Sequence, residues 1–449
     1  MKTFQDEQNE FLENILEERF FYAFRNREEK NSNFNDIDLE MIITSVCNQA
    51  CSYCYLTKYG DLLYPKEIRK WDNIFENEKA LLQYVLDNDF NVGKIELFSG
   101  EIWGMEQGNK VLEILLNFID QGLKVGEVVI PSNCSFVNND SITEIIESYI
   151  KRFRHRGVSL TFSASVDGLI IENKTRPYKN GAQKTEEFYD KLARFCKKNK
   201  VGFHPMVDAY TIDYWIDNYK WWMEYLKKYD FDLRRCIMFL EVRNDSWDEK
   251  NIKKLLEFID YCFNYEFKEV FHSSVKEMAE YYFTNKFQHH NYENISLSTK
   301  PRRLGCTLGR ALSVRLGDLA ICPCHRLSYD HLLYGKFTKE NGKIIGVEAN
   351  NVVLANKIIR GNVRMNLGCD VCKFNRICML GCFGSQYETT GDPLIPVQSV
   401  CNMMKAKMIF LIKKYDSLGV IDYAKKYLKD DYNKVLFKEI DKIKKEFNE

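Results

Sequence analysis

Between residues 36 and 290, short apolar runs alternate with longer stretches whose apolar residues recur at helical spacing. The runs are LEMIITSV (39–46), KIELFSG (94–100), EVVIPSN (127–133), SLTFSASV (159–166), VGFHPMV (201–207) and CIMFLEV (236–242). Near-continuous hydrophobicity over so few residues is the mark of buried parallel strands. EKALLQYVLDN, NKVLEILLNFIDQG, DSITEIIESYIKRF, TEEFYDKLARFCKK and IDNYKWWMEYLKKY lie between them and read as amphipathic helices. This alternation predicts an α/β fold, a partial (β/α)6 TIM-like barrel over residues 36–290, with chemistry at the C-terminal ends of the strands.

Outside that span the texture changes. Residues 1–35 read as a charged helical segment, residues 291–405 as a Gly- and Cys-rich domain poor in long periodic elements, and residues 406–449 as Lys-rich C-terminal helices packed on the core. Lys plus Arg and Asp plus Glu both number 64, so net charge calls for neither nucleic acid nor an anionic membrane. No apolar stretch is long enough for a signal segment or a bilayer span, which predicts a cytoplasmic protein.

Fifteen cysteines in such a chain point to metals rather than disulfides. They are clumped: Cys47, Cys51 and Cys54; Cys306, Cys322 and Cys324; Cys369, Cys372, Cys378, Cys382 and Cys401. Cys134, Cys196, Cys236 and Cys262 stand apart and read as small buried hydrophobes. The first cluster, Cys47-Asn48-Gln49-Ala50-Cys51-Ser52-Tyr53-Cys54, directly follows the strand LEMIITSV. Electron-transfer iron–sulfur clusters take four cysteines, so three in one loop suit a 4Fe-4S cluster with an open iron. A zinc knuckle would need a fourth ligand, and none is nearby in sequence.

This loop resembles the CxxxCxφC signature of the radical S-adenosylmethionine superfamily, with Tyr53 at the aromatic place. The likeness continues in Ser99-Gly100-Glu101, similar to the Gly-Gly-Glu motif that meets the methionine amino group, although serine replaces the first glycine. Asn133 matches the asparagine near the ribose, and its neighbour Cys134 stands where many relatives have glycine. Ser165-Val166-Asp167-Gly168 with Arg176 looks like the turn and arginine that meet the methionine carboxylate. The resemblance implies reductive cleavage of S-adenosylmethionine to a 5′-deoxyadenosyl radical, with a reductant such as flavodoxin or ferredoxin.

The later cysteines resemble the SPASM extension of that superfamily, a cysteine, a Gly-x4-Cys element, CxxCx5Cx3C and a final cysteine, which carries two auxiliary 4Fe-4S clusters. By that likeness Cys369, Cys372, Cys378 and Cys401 hold one cluster, and Cys306, Cys322 and Cys382 hold the other. Either Cys324 is its fourth ligand, or Cys324 matches the Pro-Cys step and Cys322 is then the extra residue or the cluster keeps an open site. The spacing by itself also suits a zinc ribbon.

SPASM relatives mostly modify peptides or proteins by crosslink, thioether or dehydrogenation, so a peptide or protein substrate is expected. A small-molecule substrate and a plain electron-transfer role are the alternatives. His325 follows the Pro-Cys step where sulfatase-maturing relatives place an aspartate base; it reads either as a base or as a hydrogen-bonding neighbour of the cluster. Glu241, Arg243 and His204, at strand ends, suit a grip on the substrate or ordinary ion pairing. About 35 residues precede the first strand, too few for a leader-binding winged helix, so leader binding, if any, is expected to fall to a separate leader-binding protein or another surface.

Overall fold

The computed structural model describes residues 2–17, 37–103, 105–283, 308, 311–360, 368–369, 371–375, 377–378, 381–429 and 431–447. The chain forms two compact units: Met1–Pro205 with Cys306–Gly361, and Met206–Gly305 with Asn362–Glu449.

Among the described residues the first unit is built on a nine-stranded sheet, in the order Lys343–Ala349, Gly335–Glu340, Ala320–Cys322, Ala311–Arg315, Ile37–Thr44, Asn91–Ser99, Lys124–Ser132, Ser159–Ala164 and Gly202–Phe203. β1 (Ile37–Thr44), β2 (Asn91–Ser99), β3 (Lys124–Ser132), β4 (Ser159–Ala164) and the two-residue β5 (Gly202–Phe203) run parallel. Helices α1 (Phe4–Leu16), α2 (Tyr55–Leu63), α3 (Trp71–Asp87), α4 (Glu106–Asp120), α5 (Asp140–His155) and α6 (Glu186–Asn199) complete the unit. Leu39, Met41, Ile95, Leu97, Val128, Ile130 and Phe162 are buried, and Phe162 meets Phe195 of α6 with ring centroids 5.8 Å apart. Strand side chains alternate between faces, so the register Ser313–Glu40–Glu96–Val129–Thr161 runs a second, more polar row across the other face.

The first four predicted strands form where the apolar runs placed them. VGFHPMV does not stay one strand: it splits at His204-Pro205 into β5 and β6 (Met206–Val207), which belong to different sheets. Pro205 has no N–H to continue a ladder. CIMFLEV contributes only β7 (Leu240–Glu241), parallel to β6. Residues 311–349, expected in the cysteine-rich domain, supply four strands of the large sheet: β8 (Ala311–Arg315), β9 (Ala320–Cys322), β10 (Gly335–Glu340) and β11 (Lys343–Ala349). β8 is buried throughout and pairs parallel with β1; the rest follow antiparallel. The result is a mixed α/β fold around a large, mainly parallel sheet.

The second unit is largely helical: α7 (Trp215–Lys228), α8 (Glu249–Tyr265), α9 (Val275–Phe283), α10 (Phe383–Thr390), α11 (Gln398–Ser417), α12 (Val420–Tyr427) and α13 (Asp431–Phe447), with the β6–β7 pair. Its core is aromatic, with Trp215, Tyr219, Phe239 and Phe258 in edge and tilted contacts. Among the described residues no helix is long and apolar enough to cross a membrane.

Candidate active site

The Cys47–Cys54 loop leaves the C-terminal end of β1 and is tied down first by backbone hydrogen bonds. Ala50 N–H donates to the Pro177 carbonyl at 2.9 Å, Ser52 N–H to Thr175 at 2.8 Å, and Lys179 N–H to Asn48 at 3.0 Å. From the end of β2, Gly100 N–H donates to Thr44 (2.9 Å) and Glu101 N–H to Val46 (2.8 Å). The approach explains the glycine: a Cβ on Gly100 would sit 2.0 Å from the Val46 carbonyl oxygen. Ser99 ends β2, and its side chain lies outside the described residues.

Glu101 is 2% exposed and accepts from Ser132 Oγ (3.1 and 3.2 Å), Asn133 N–H (2.7 Å) and Trp103 N–H (3.2 Å). Burial outweighs these donors and pushes its carboxyl up to about 7. Asn133 Nδ2 donates to Asn48 Oδ1 at 2.7 Å and lies 3.8 Å from Cys47 Sγ, so β3's end is bonded to the cysteine loop. Cys134 adopts φ 56°, the left-handed conformation that glycine takes without strain. Ser165 N–H donates to the Ser132 carbonyl at 2.7 Å.

Tyr53, Asp167 and Arg176 form one buried cluster. Asp167 takes an ion pair from Arg176 Nε (3.0 Å) and hydrogen bonds from the hydroxyls of Tyr53 and Thr175, each at 2.6 Å; the guanidinium stands 5.2 Å over the Tyr53 ring. Burial works against the Arg176 charge, yet Asp167 more than offsets it and the pKa rises. Sequence reasoning missed what supports this turn. Glu172, fully buried and paired with Lys184, accepts from the Asp167 and Gly168 N–H groups and from Tyr189 OH. No local motif announces that pairing; a buried Lys184 finds its partner only through the fold.

Iron–sulfur and S-adenosylmethionine chemistry fits these residues. The Cys51 thiol is buried and pushed up to about 12 by burial, although Arg176 pulls it down. A thiol held neutral in this way ionises when a metal supplies positive charge. Gln49 Nε2 and the Tyr178 hydroxyl are buried without an aligned hydrogen bond, and Gln49 and Tyr178 are bridged in the backbone beside the loop.

His325 is not free on the sheet. Its Nδ1 pairs with the carboxylate of fully buried Glu40, whose other oxygen accepts from Ser313 Oγ, and its ring stacks on Phe98 at 3.5 Å. Burial raises the Glu40 pKa, but His325 and Ser313 outweigh it and the net shift is downward. Cys322 and Cys324 are both buried, and burial raises the Cys322 thiol. Cys306 lies outside the described residues.

In the second unit, Cys369, Cys372, Cys378, Cys382 and Cys401 are all partly buried. The Cys401 thiol is raised by burial and then by Cys378 and Cys372, against the lowering effect of Lys405. Glu241 is engaged by Lys407, both almost buried, and the Arg243 carbonyl accepts from Ser385 Oγ.

No family model and no curated protein matches this chain. Among solved structures it is similar to histidine-tagged anSMEcpe with bound AdoMet, at TM-score 0.55 and 18% identity, over 90% of this chain and 98% of the other. It is similar also to native anSMEcpe with bound AdoMet and Cp18Cys peptide, at TM-score 0.55 and 17% identity, over 85% and 98%. Streptococcus suis SuiB bound to S-adenosylmethionine matches at TM-score 0.48 and 14% identity, over 86% and 80%. The fold is thus shared with AdoMet-bound anSMEcpe. The likeness to anSMEcpe extends over 90% of this chain.

Proposed function

We propose that this chain is a radical S-adenosylmethionine enzyme that oxidatively modifies a peptide or protein. One observation carries the reading: the three-cysteine loop is locked between Gly100 and the 175–179 backbone, with Glu101, Asn133 and the Asp167–Arg176 pair at the same end of the sheet. Cys47, Cys51 and Cys54 would hold a 4Fe-4S cluster with an open iron. Such a cluster would supply one electron to S-adenosylmethionine, whose cleavage would give methionine and a 5′-deoxyadenosyl radical.

The chain's own groups have separable roles. Glu101 presents a buried carboxyl to the methionine ammonium, and a cation there reverses the unfavourable burial of its charge. Arg176, fixed through Asp167, would present positive charge to the methionine carboxylate, and Asn133 would meet the ribose, with Ser165 in the turn that leads to Asp167. His325, held by Glu40, would serve as a base toward the substrate or as a hydrogen-bonding neighbour of the auxiliary cluster. In the second unit, Cys369, Cys372, Cys378 and Cys401 would hold an auxiliary cluster, an outlet for the substrate's electron. A partial barrel followed by a SPASM domain is the layout this reading requires. The peptide-bound anSMEcpe supports a peptide substrate.

The test is anaerobic reconstitution with iron and sulfide, then dithionite and S-adenosylmethionine. Release of 5′-deoxyadenosine is expected; its absence from iron-loaded protein refutes the reading. Coexpression with a short peptide encoded beside the gene should shift that peptide by about two mass units downward, the loss of two hydrogens.

A further inference from the structure

The second unit contains a cavity of about 130 Å³ lined by Val207 and Glu241 of the β6–β7 pair and by residues of α7, α8, α9 and α11. Tyr219, Phe258, Phe271, Tyr282 and Tyr415 supply much of its wall. A void of roughly this size accommodates a benzene ring.

Two carboxyl groups open onto the cavity, and they differ. Glu241 is neutralised by Lys407. Glu266 accepts a single hydrogen bond, 2.6 Å from Tyr282 OH, and no cation among the described residues acts on it. The other cation on the wall, Arg234, is committed elsewhere: it donates to Glu277 at 2.7 Å and stacks on Phe271 at 5.3 Å. Glu266 therefore faces an aromatic enclosure with its charge uncompensated, and burial raises its carboxyl pKa. A local change of backbone puts it there. At Glu266, α8 passes into a five-residue π-helix, Glu266–Val270, whose two end residues both line the cavity. His272 and Ser273 then turn the chain at φ 48° and 59°. π-Helical turns concentrate at functional sites.

We propose that this cavity binds a small organic cation, an ammonium carried on an aromatic or branched body of about benzene size. Its charge lies against Glu266 and its body against the rings, which attract cations through their π faces. An anion is excluded by Glu266, and a neutral arene forgoes the ion pair. No cysteine assigned to a cluster lines the cavity.

Isothermal titration of the full chain with benzylamine and with benzyl alcohol, its neutral isostere, tests this. Benzylammonium should bind at least tenfold more tightly, and Glu266→Gln should erase the preference. Equal affinities, no binding of either probe, or a preference that survives Glu266→Gln overturns the proposal. Should Glu266→Gln fail to fold, Leu411→Phe decides the matter by filling the cavity with Glu266 intact. Loss of benzylammonium binding in that variant supports the site, and retained binding places it elsewhere.

Discussion

The cysteine loop of the first unit and the cysteine stretch of the second hold their shapes differently. Cys47–Cys54 is fixed by bonds to Thr175, Pro177 and Lys179, more than a hundred residues away, and by the packing of Gly100. In the second unit the described backbone bonds around the cysteines are local turns, such as Cys372 N–H to Cys369 at 3.3 Å and Cys378 N–H to Phe374 at 2.8 Å. Protein contacts preform the first loop, whereas ligated metal is the natural source of order for the second.

The largest expected effect separates the two. Alanine at Cys47, Cys51 and Cys54 together should abolish 5′-deoxyadenosine release while leaving about four irons for each auxiliary cluster, read by iron assay and liquid chromatography. Hydrogen exchange of the 47–54 loop should change little. Alanine at Cys369, Cys372, Cys378 and Cys401 should instead strip protection from that segment. If both loops loosen equally when their cysteines are removed, the contrast is wrong.

Next in size is Asp167→Asn. It keeps the shape but leaves Arg176 buried beside a neutral group, so a loss of about 3–5 kcal/mol in chemical denaturation is expected. An unchanged midpoint would mean that Asp167 does not hold the turn.

The smallest effect is a pH slope. In the protein without S-adenosylmethionine, Glu101 titrates near 7 against an ordinary 4.5, so the folded state holds a proton that the unfolded chain has already released. Stability is therefore greatest below the ordinary value and declines as pH rises from there through about 7, by on the order of 3 kcal/mol. Glu101→Gln should flatten this slope. A slope that survives the substitution belongs to another group.

Much of this was legible in the sequence because the signals are local. β1 to β4 are compact apolar runs, and the residues of the Cys47, Gly100, Asn133 and Asp167 motifs each end a strand or start the loop after it. What escaped was either too short or too distant. Ala311–Arg315 is a five-residue strand whose role depends on the open edge of β1. One overlooked local signal was Asn341-Gly342, both at positive φ (49° and 78°), the two-residue turn that joins β10 to β11. The Glu172–Lys184 and Glu40–His325 pairs depend on tertiary approach, which residue spacing does not encode.

The lacing of Asn48, Ala50 and Ser52 to Thr175, Pro177 and Lys179 also sets a timetable for synthesis. The ribosome makes the cysteine loop early, but its clasp emerges only after β2, β3 and β4 have followed. Until residue 179 has left the exit tunnel, the three thiols are an unclasped segment open to oxidation or to stray metal. A cell making this protein therefore does best to deliver iron and sulfide after translation has passed that point.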